Sequence, residues 1–301
     1  MDINIIGVPI KYGCDKDGVQ FGPDKLRELG ISDIIRKNGF NVYDMGNIYV
    51  PNILDECKYN WHKRMKYFKP IVEITTNLAH NVYTSLKSNS FPFVIGGDHS
   101  LGMGSIAGAS KYFKEMAVVW VDAHGDINDE NTTPSGNIHG MPLAASFNVG
   151  HPQLTNLYFK GAKVKPENVY IIGARSLDPG EIALAKRLNL KLYTMDHINS
   201  MGLERILVNV VENIKKSNVD GLHLSFDIDV LDSALVPGTG TPEKDGLNVE
   251  EAKLILKHIL SMNMVTSMDF VEFNPVLDED DKTSKICMEL LEYIFKNLTR
   301  V

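Results

Sequence analysis

Eight short runs rich in Val, Ile, Phe and Tyr, separated by longer stretches with helical periodicity, constrain this chain more than any other feature. The strand-like runs are Ile3 to Val8, Asn41 to Tyr43, Phe93 to Ile95, Ala117 to Val121, Val169 to Ile172, Lys191 to Tyr193, Leu222 to Phe226 and Thr266 to Val271. Between them, Gly22 to Lys37, Ile71 to Leu86, Leu203 to Ile214, Val249 to Leu260 and Lys285 to Leu298 carry apolar residues at helical spacing. Strand and helix in alternation give an α/β fold with a parallel sheet, and strands apolar on both faces are those that helices cover from both sides. An open sheet and a closed eight-stranded barrel both satisfy this pattern. In either, function sits at the carboxyl ends of the strands, so the residues just after each strand are the informative part of the sequence.

Three strand ends stand out. The run ending at Ile95 leads into Gly96-Gly97-Asp98-His99-Ser100, and the run ending at Val121 leads into Asp122-Ala123-His124-Gly125-Asp126-Ile127-Asn128. A third ends in Ser225-Phe226-Asp227-Ile228-Asp229. In extended chain, residues two apart point to one side, which predicts that Asp122, His124 and Asp126 converge, as do Asp227 and Asp229. Taken singly, an Asp-x-Asp after a strand caps a helix or closes a turn, and His99 alone reads as a core histidine. Three such clusters at one sheet edge point instead to a metal site, because crowded carboxylates repel strongly without cations between them.

Four carboxylates balance two divalent ions, so the expected centre is binuclear. Oxygen-rich ligation with two imidazoles and no thiolate favours Mn²⁺, two per subunit. Two such ions roughly 3.5–4 Å apart can share a water, lower its pKa and promote hydrolysis. The expected metal ligands are therefore His99, Asp122, His124, Asp126, Asp227 and Asp229.

Other classes are disfavoured. With 31 Lys and Arg against 38 Asp and Glu, the net charge is -7, which argues against nucleic acid as a partner. Apolar runs such as Met116 to Val121 are strand-sized, and the start of the chain lacks the basic region of a signal peptide, so a cytoplasmic protein without membrane contact is expected. Cys14, Cys57 and Cys287 form no Cys-x-x-Cys pair and read as reduced packing thiols. The glycines of Gly102-Met103-Gly104-Ser105-Ile106-Ala107-Gly108 read as close helix packing rather than a dinucleotide loop. Without a linker or internal repeat, residues 1–301 are expected to form one domain.

The metal segments, together with Gly18-Val19-Gln20-Phe21-Gly22-Pro23, Pro237-Gly238-Thr239-Gly240-Thr241-Pro242 and Glu272-Phe273-Asn274-Pro275, resemble those of the ureohydrolase family of arginases, agmatinases and their relatives. The resemblance runs nearly the whole chain. It implies a three-layer α/β/α sandwich around an eight-stranded parallel sheet, a binuclear manganese centre and urea release from a guanidino compound by a metal-bridging hydroxide. It also implies that Asp126 accepts a hydrogen bond from that hydroxide, that Glu272 pairs with the guanidinium, and that His139 is the acid/base histidine.

Asn128, Ser135 and Asn137 resemble the positions that hold an α-carboxylate, and Asp178 and Glu181 those near an α-ammonium; Thr241 is carried over as a further substrate contact. These forms are most similar to the bacterial arginases, implying L-arginine as substrate and a homotrimer or homohexamer. Val230, Ser233 and Glu243-Lys244-Asp245 differ from that pattern, and Val230 is shared with agmatinase-like relatives. Agmatine or another guanidino or formimino compound is therefore the alternative substrate. The contrasting class is a regulatory metal-binding protein that has lost catalysis.

Overall fold

The computed structural model describes residues 1–299; the last two positions of the expected 1–301 domain, Arg300 and Val301, lie outside the described residues. Its eight strands are β1 (Asp2–Val8), β2 (Asn41–Asn47), β3 (Ser90–Gly96), β4 (Met116–Val121), β5 (Val169–Ala174), β6 (Lys191–Thr194), β7 (Gly221–Asp227) and β8 (Val265–Val271). They form one sheet in the order β2-β1-β3-β8-β7-β4-β5-β6, with every neighbouring pair parallel. The sheet is open, which decides between the two architectures that the strand count allows. In this order β3, β8, β7 and β4 are the four central strands, and parallel pairing puts all their carboxyl ends at one edge.

Alternate residues of the strands enter two cores. Ile3, Ile5, Phe93, Val119 and Phe226 pack with Leu207, Leu256 and Leu291 on one side, while Ile6, Val94, Val118 and Trp120 pack with Leu78 and Ile106 on the other. Helices on both faces complete an α/β/α sandwich, as expected. The two faces of β7 are not both apolar, however. Leu222, Leu224 and Phe226 face one core, whereas the alternate positions are His223, Ser225 and Asp227, all buried. His223 is held by Ser267 at 2.9 Å and Asp269 at 3.0 Å, and Ser105 donates to the same Asp269 oxygen. A polar seam therefore runs through the sheet toward the carboxyl edge of its strands.

The expected helix over 22 to 37 is two helices, Gly22–Glu28 and Ile31–Lys37, because Gly30 takes a left-handed conformation (φ 91°) that stops the first. The glycine-rich segment is helical, Gly102–Tyr112, and lies against Phe68–Lys87. A Cβ on Gly104 would stand 2.5 Å from the Thr75 carbonyl oxygen and one on Gly108 2.4 Å from that of Ala79, so only glycine permits this spacing. The cysteines are unpaired. Among the described residues, no helix is long and apolar enough to cross a membrane.

Candidate metal centre

Each site residue is delivered by a strand end or by the turn just after it. Beyond β3, Gly97 packs so closely that a Cβ would lie 2.2 Å from the Ile10 carbonyl oxygen. The next residue, Asp98, accepts the amides of Gly13 (2.8 Å) and Ser100 (3.0 Å), fixing the short helical turn His99–Leu101. The His99 ring stacks on Trp120 with centroids 3.9 Å apart and planes 6° from parallel. Trp120, buried in the core, also donates its indole N–H to Asp122 Oδ2 at 2.9 Å. Extended alternation is not what brings the acids together. Asp126 is left-handed (φ 54°), and Asp229 lies in a helical turn, Ile228–Val230, capped by Asp227 through a 2.8 Å bond from the Asp229 amide.

The side chains of the six residues expected to hold metal lie together, although Asp126 enters neither of the two donor sets that they form. Nδ1 of His99 lies 2.9 Å from Asp122 Oδ2, 3.1 Å from Asp227 Oδ2 and 3.2 Å from Asp126 Oδ2. It is nevertheless a buried nitrogen that makes no hydrogen bond. Beside it, Nδ1 of His124 lies 3.1 Å from Asp229 Oδ2 and 3.4 Å from Asp122 Oδ1. Two donor sets result, His99–Asp122–Asp227 and Asp122–His124–Asp229, each with its ligand atoms within 4.8 Å of one another. Asp122 belongs to both and turns a different oxygen to each imidazole.

The electrostatics point the same way. Burial, reinforced by neighbouring carboxylates, raises the pKa of Asp126, Asp227 and Asp229. Burial acts on Asp122 as well, but the imidazoles of His124 and His99 outweigh it and lower its pKa. For those two histidines burial disfavours the charged ring, yet the surrounding carboxylates outweigh it and raise both pKa values well above the usual range. Carboxylates and imidazoles crowded in this way call for positive charge among them, which divalent cations can supply. Converging oxygens, an unbonded buried imidazole nitrogen and the absence of thiolate all fit hard or borderline divalent metals.

A cleft opens above the cluster, lined by Asp126, Asn128, Ser135, Asn137, His139, Asp178, Glu181 and Thr241, among others. The structure thus gathers every expected substrate contact at one mouth. Their present partners differ. Asn128 donates to Asp178 at 2.8 Å, whereas Asn137 accepts from Lys66 at 2.8 Å and donates to the Cys14 carbonyl at 3.0 Å. Ser135 accepts the Asn137 amide at 3.2 Å. Glu181 is buried, and its two oxygens accept the amides of Ile127 and Asp178, while Thr241 donates to Asp229 at 3.1 Å.

Glu272, in a left-handed conformation (φ 64°) directly after β8, accepts the His99 amide at 2.8 Å and lies 3.1 Å from His139 Nδ1 through the same oxygen. Its other oxygen is buried without a hydrogen-bond partner. Burial opposes charge on His139, but Glu272, with Asp126 and Asp98 adding, raises its pKa.

Sequence reasoning missed several supports. Trp120 and Ser225, which approaches His99 Nε2 at 2.8 Å, stand two residues before Asp122 and Asp227, so the same alternation that selected the acids could have selected them. Arg175 carries no local signal and Glu243 stands out only as a departure from the family pattern, since the neighbours of both come from distant parts of the chain.

The arginase family model matches residues 1–296. The arginase of Brevibacillus brevis is 42% identical over 98% of this chain and 97% of its own. Among solved structures, the arginase of Bacillus cereus is 38% identical with a TM-score of 0.91, covering 100% of this chain and 99% of that one. That of Bacillus caldovelox, in its native form at pH 5.6, is 38% identical with a TM-score of 0.92 over 98% of each chain. A match of this extent, over nearly the whole chain and the whole sheet, means that the chain belongs to the arginase family of hydrolases.

Proposed function

We propose that this protein hydrolyses L-arginine to L-ornithine and urea, using two Mn²⁺ ions held by His99, Asp122, His124, Asp126, Asp227 and Asp229. The observation that carries this reading is the pair of donor sets sharing Asp122 at the floor of a cleft rimmed by amides and acids. When bound, two divalent cations would supply Lewis acidity and make a shared water nucleophilic near neutral pH. Asp126, facing both cluster and cleft, would accept a hydrogen bond from that nucleophile.

The remaining roles belong to side chains. The unpartnered oxygen of Glu272 is suited to accept a guanidinium N–H, and a planar charge-assisted contact of this kind aims the central carbon. Because His139 Nδ1 is committed to Glu272, the proton it delivers to the departing amine is the one on Nε2. A raised pKa keeps more of this imidazole protonated and able to serve as that acid. Asn128, Ser135 and Asn137 would receive the substrate carboxylate, and Asp178 its ammonium. Glu181 would help by fixing the Asp178 backbone, and Thr241 by orienting Asp229.

Urea release from L-arginine and agmatine, measured side by side with metal analysis, tests the reading. It predicts two Mn²⁺ per chain and a preference for L-arginine; a clear preference for agmatine overturns the substrate assignment. In keeping with the family resemblance, we further read residues 1–301 as one domain of a cytoplasmic homotrimer or homohexamer. Sedimentation showing only monomer at micromolar concentration would contradict that assembly.

A further inference from the structure

The loop after Thr241 is tied to the metal centre by an arginine. Arg175 donates to the carbonyl oxygens of Asp229 (2.8 Å), Val230 (3.0 Å) and Leu231 (3.1 Å) and also to those of Glu243 (3.0 Å) and Lys244 (2.8 Å). One guanidinium thus straps the 243–244 segment onto the turn that carries Asp229. The amide of Ser233 adds a 3.0 Å bond to the Glu243 carbonyl. So anchored, Glu243 extends its carboxylate to 3.7 Å from Nε2 of His124.

Chemistry gives that approach a purpose. An imidazole that offers the Nδ1 lone pair to a cation carries its remaining proton on Nε2, and that N–H must find an acceptor. From this geometry we propose that Glu243 is a positioning residue for the second metal: standing 3.7 Å from Nε2, it is the acceptor toward which the His124 N–H turns, and it so holds the ring with Nδ1 toward Asp122 and Asp229. Glu243 touches neither substrate nor metal in this role. Because the side chains of His124 and Glu243 are 22% and 37% exposed, solvent screens their charges and the contribution is chiefly orientation.

The inference rests on the binuclear reading, and the experiment separates the two. Chelator-stripped wild type, Glu243→Gln and Glu243→Ala are titrated with Mn²⁺, with free ion followed by electron paramagnetic resonance. The first equivalent should bind alike in all three, while the second binds about tenfold more weakly to Glu243→Ala. Glu243→Gln, whose amide oxygen still accepts, should fall between. A second equivalent that binds Glu243→Ala as it binds wild type overturns the proposal, as does equal weakening of both equivalents. A rise in KM with an unchanged isotherm would also overturn it, making Glu243 a substrate contact. Wild type that takes up fewer than two equivalents removes the binuclear reading and this proposal with it.

Discussion

The two imidazoles of the cluster sit in unlike surroundings although they share an aspartate. His99 is 1% exposed, stacked on Trp120, and its Nε2 meets the buried Ser225 hydroxyl at 2.8 Å. His124 is 22% exposed, and its Nε2 meets only a loop carboxylate at 3.7 Å. The inner set is built from the core, where packing leaves each group one position. The outer set is built from turns and held by backbone straps. The difference teaches that two donor sets sharing one aspartate can be held by different means, packing for one and loop contacts for the other, and on the binuclear reading proposed above it predicts that a chelator removes the outer metal first.

The sharpest way to break this contrast is at the shared residue. Asp122→Asn should release both ions and lower urea production by more than about a thousandfold, with metal content and activity measured on the same sample. If that variant keeps one ion firmly, the sets do not depend on Asp122 jointly.

Next in size is a pH effect at the outer rim, where Glu181 braces the amide after Asp126. Burial raises its pKa from 4.5 to about 7, so between those values the folded state holds a proton that the unfolded chain has lost. Its stabilising contribution is complete below 4.5 and disappears as pH rises to 7, a change of about 3 kcal/mol. In denaturant titrations of the metal-free proteins, the stability gap between wild type and Glu181→Gln should therefore change by that amount across the window. Parallel profiles would refute it.

His139 belongs to neither donor set, so it separates ligation from chemistry. His139→Asn should cost roughly a hundredfold in kcat while both ions stay bound; loss of metal in this variant would redraw the cluster. The smallest effect is expected at Ser225. Ser225→Ala should weaken only the inner equivalent, by about tenfold in a Mn²⁺ titration, leaving the outer one unchanged.

Much of this was legible in the sequence. Each of the eight strand runs became a strand: β3, β4, β5 and β7 are buried throughout, whereas the edge strands β2 and β6 are exposed or half-buried and rest on their β-forming residues and a single pairing partner. The site acids were legible by their place after those strands, yet extended alternation is the wrong reason for their convergence. Asp126 and Asp229 arrive through a left-handed residue and a helical turn, conformations that no periodicity announces. His223 and Ser225 were hidden for a related reason: buried polar groups interrupt the apolar pattern, and only their partners, Ser267, Asp269 and His99, explain them. The split at Gly30 was signalled by the glycine itself, set within an otherwise continuous helical pattern.

The helix Gly102–Tyr112 starts immediately after the turn that holds His99, and its glycines let it rest backbone to backbone on Phe68–Lys87. Adding even a methyl group at Gly108, about two turns away, would lever the helix outward and carry the inner ligand with it. Catalytic geometry here is thus inherited from the distance between two helices, and a side chain added at those glycines is felt by chemistry performed far from them.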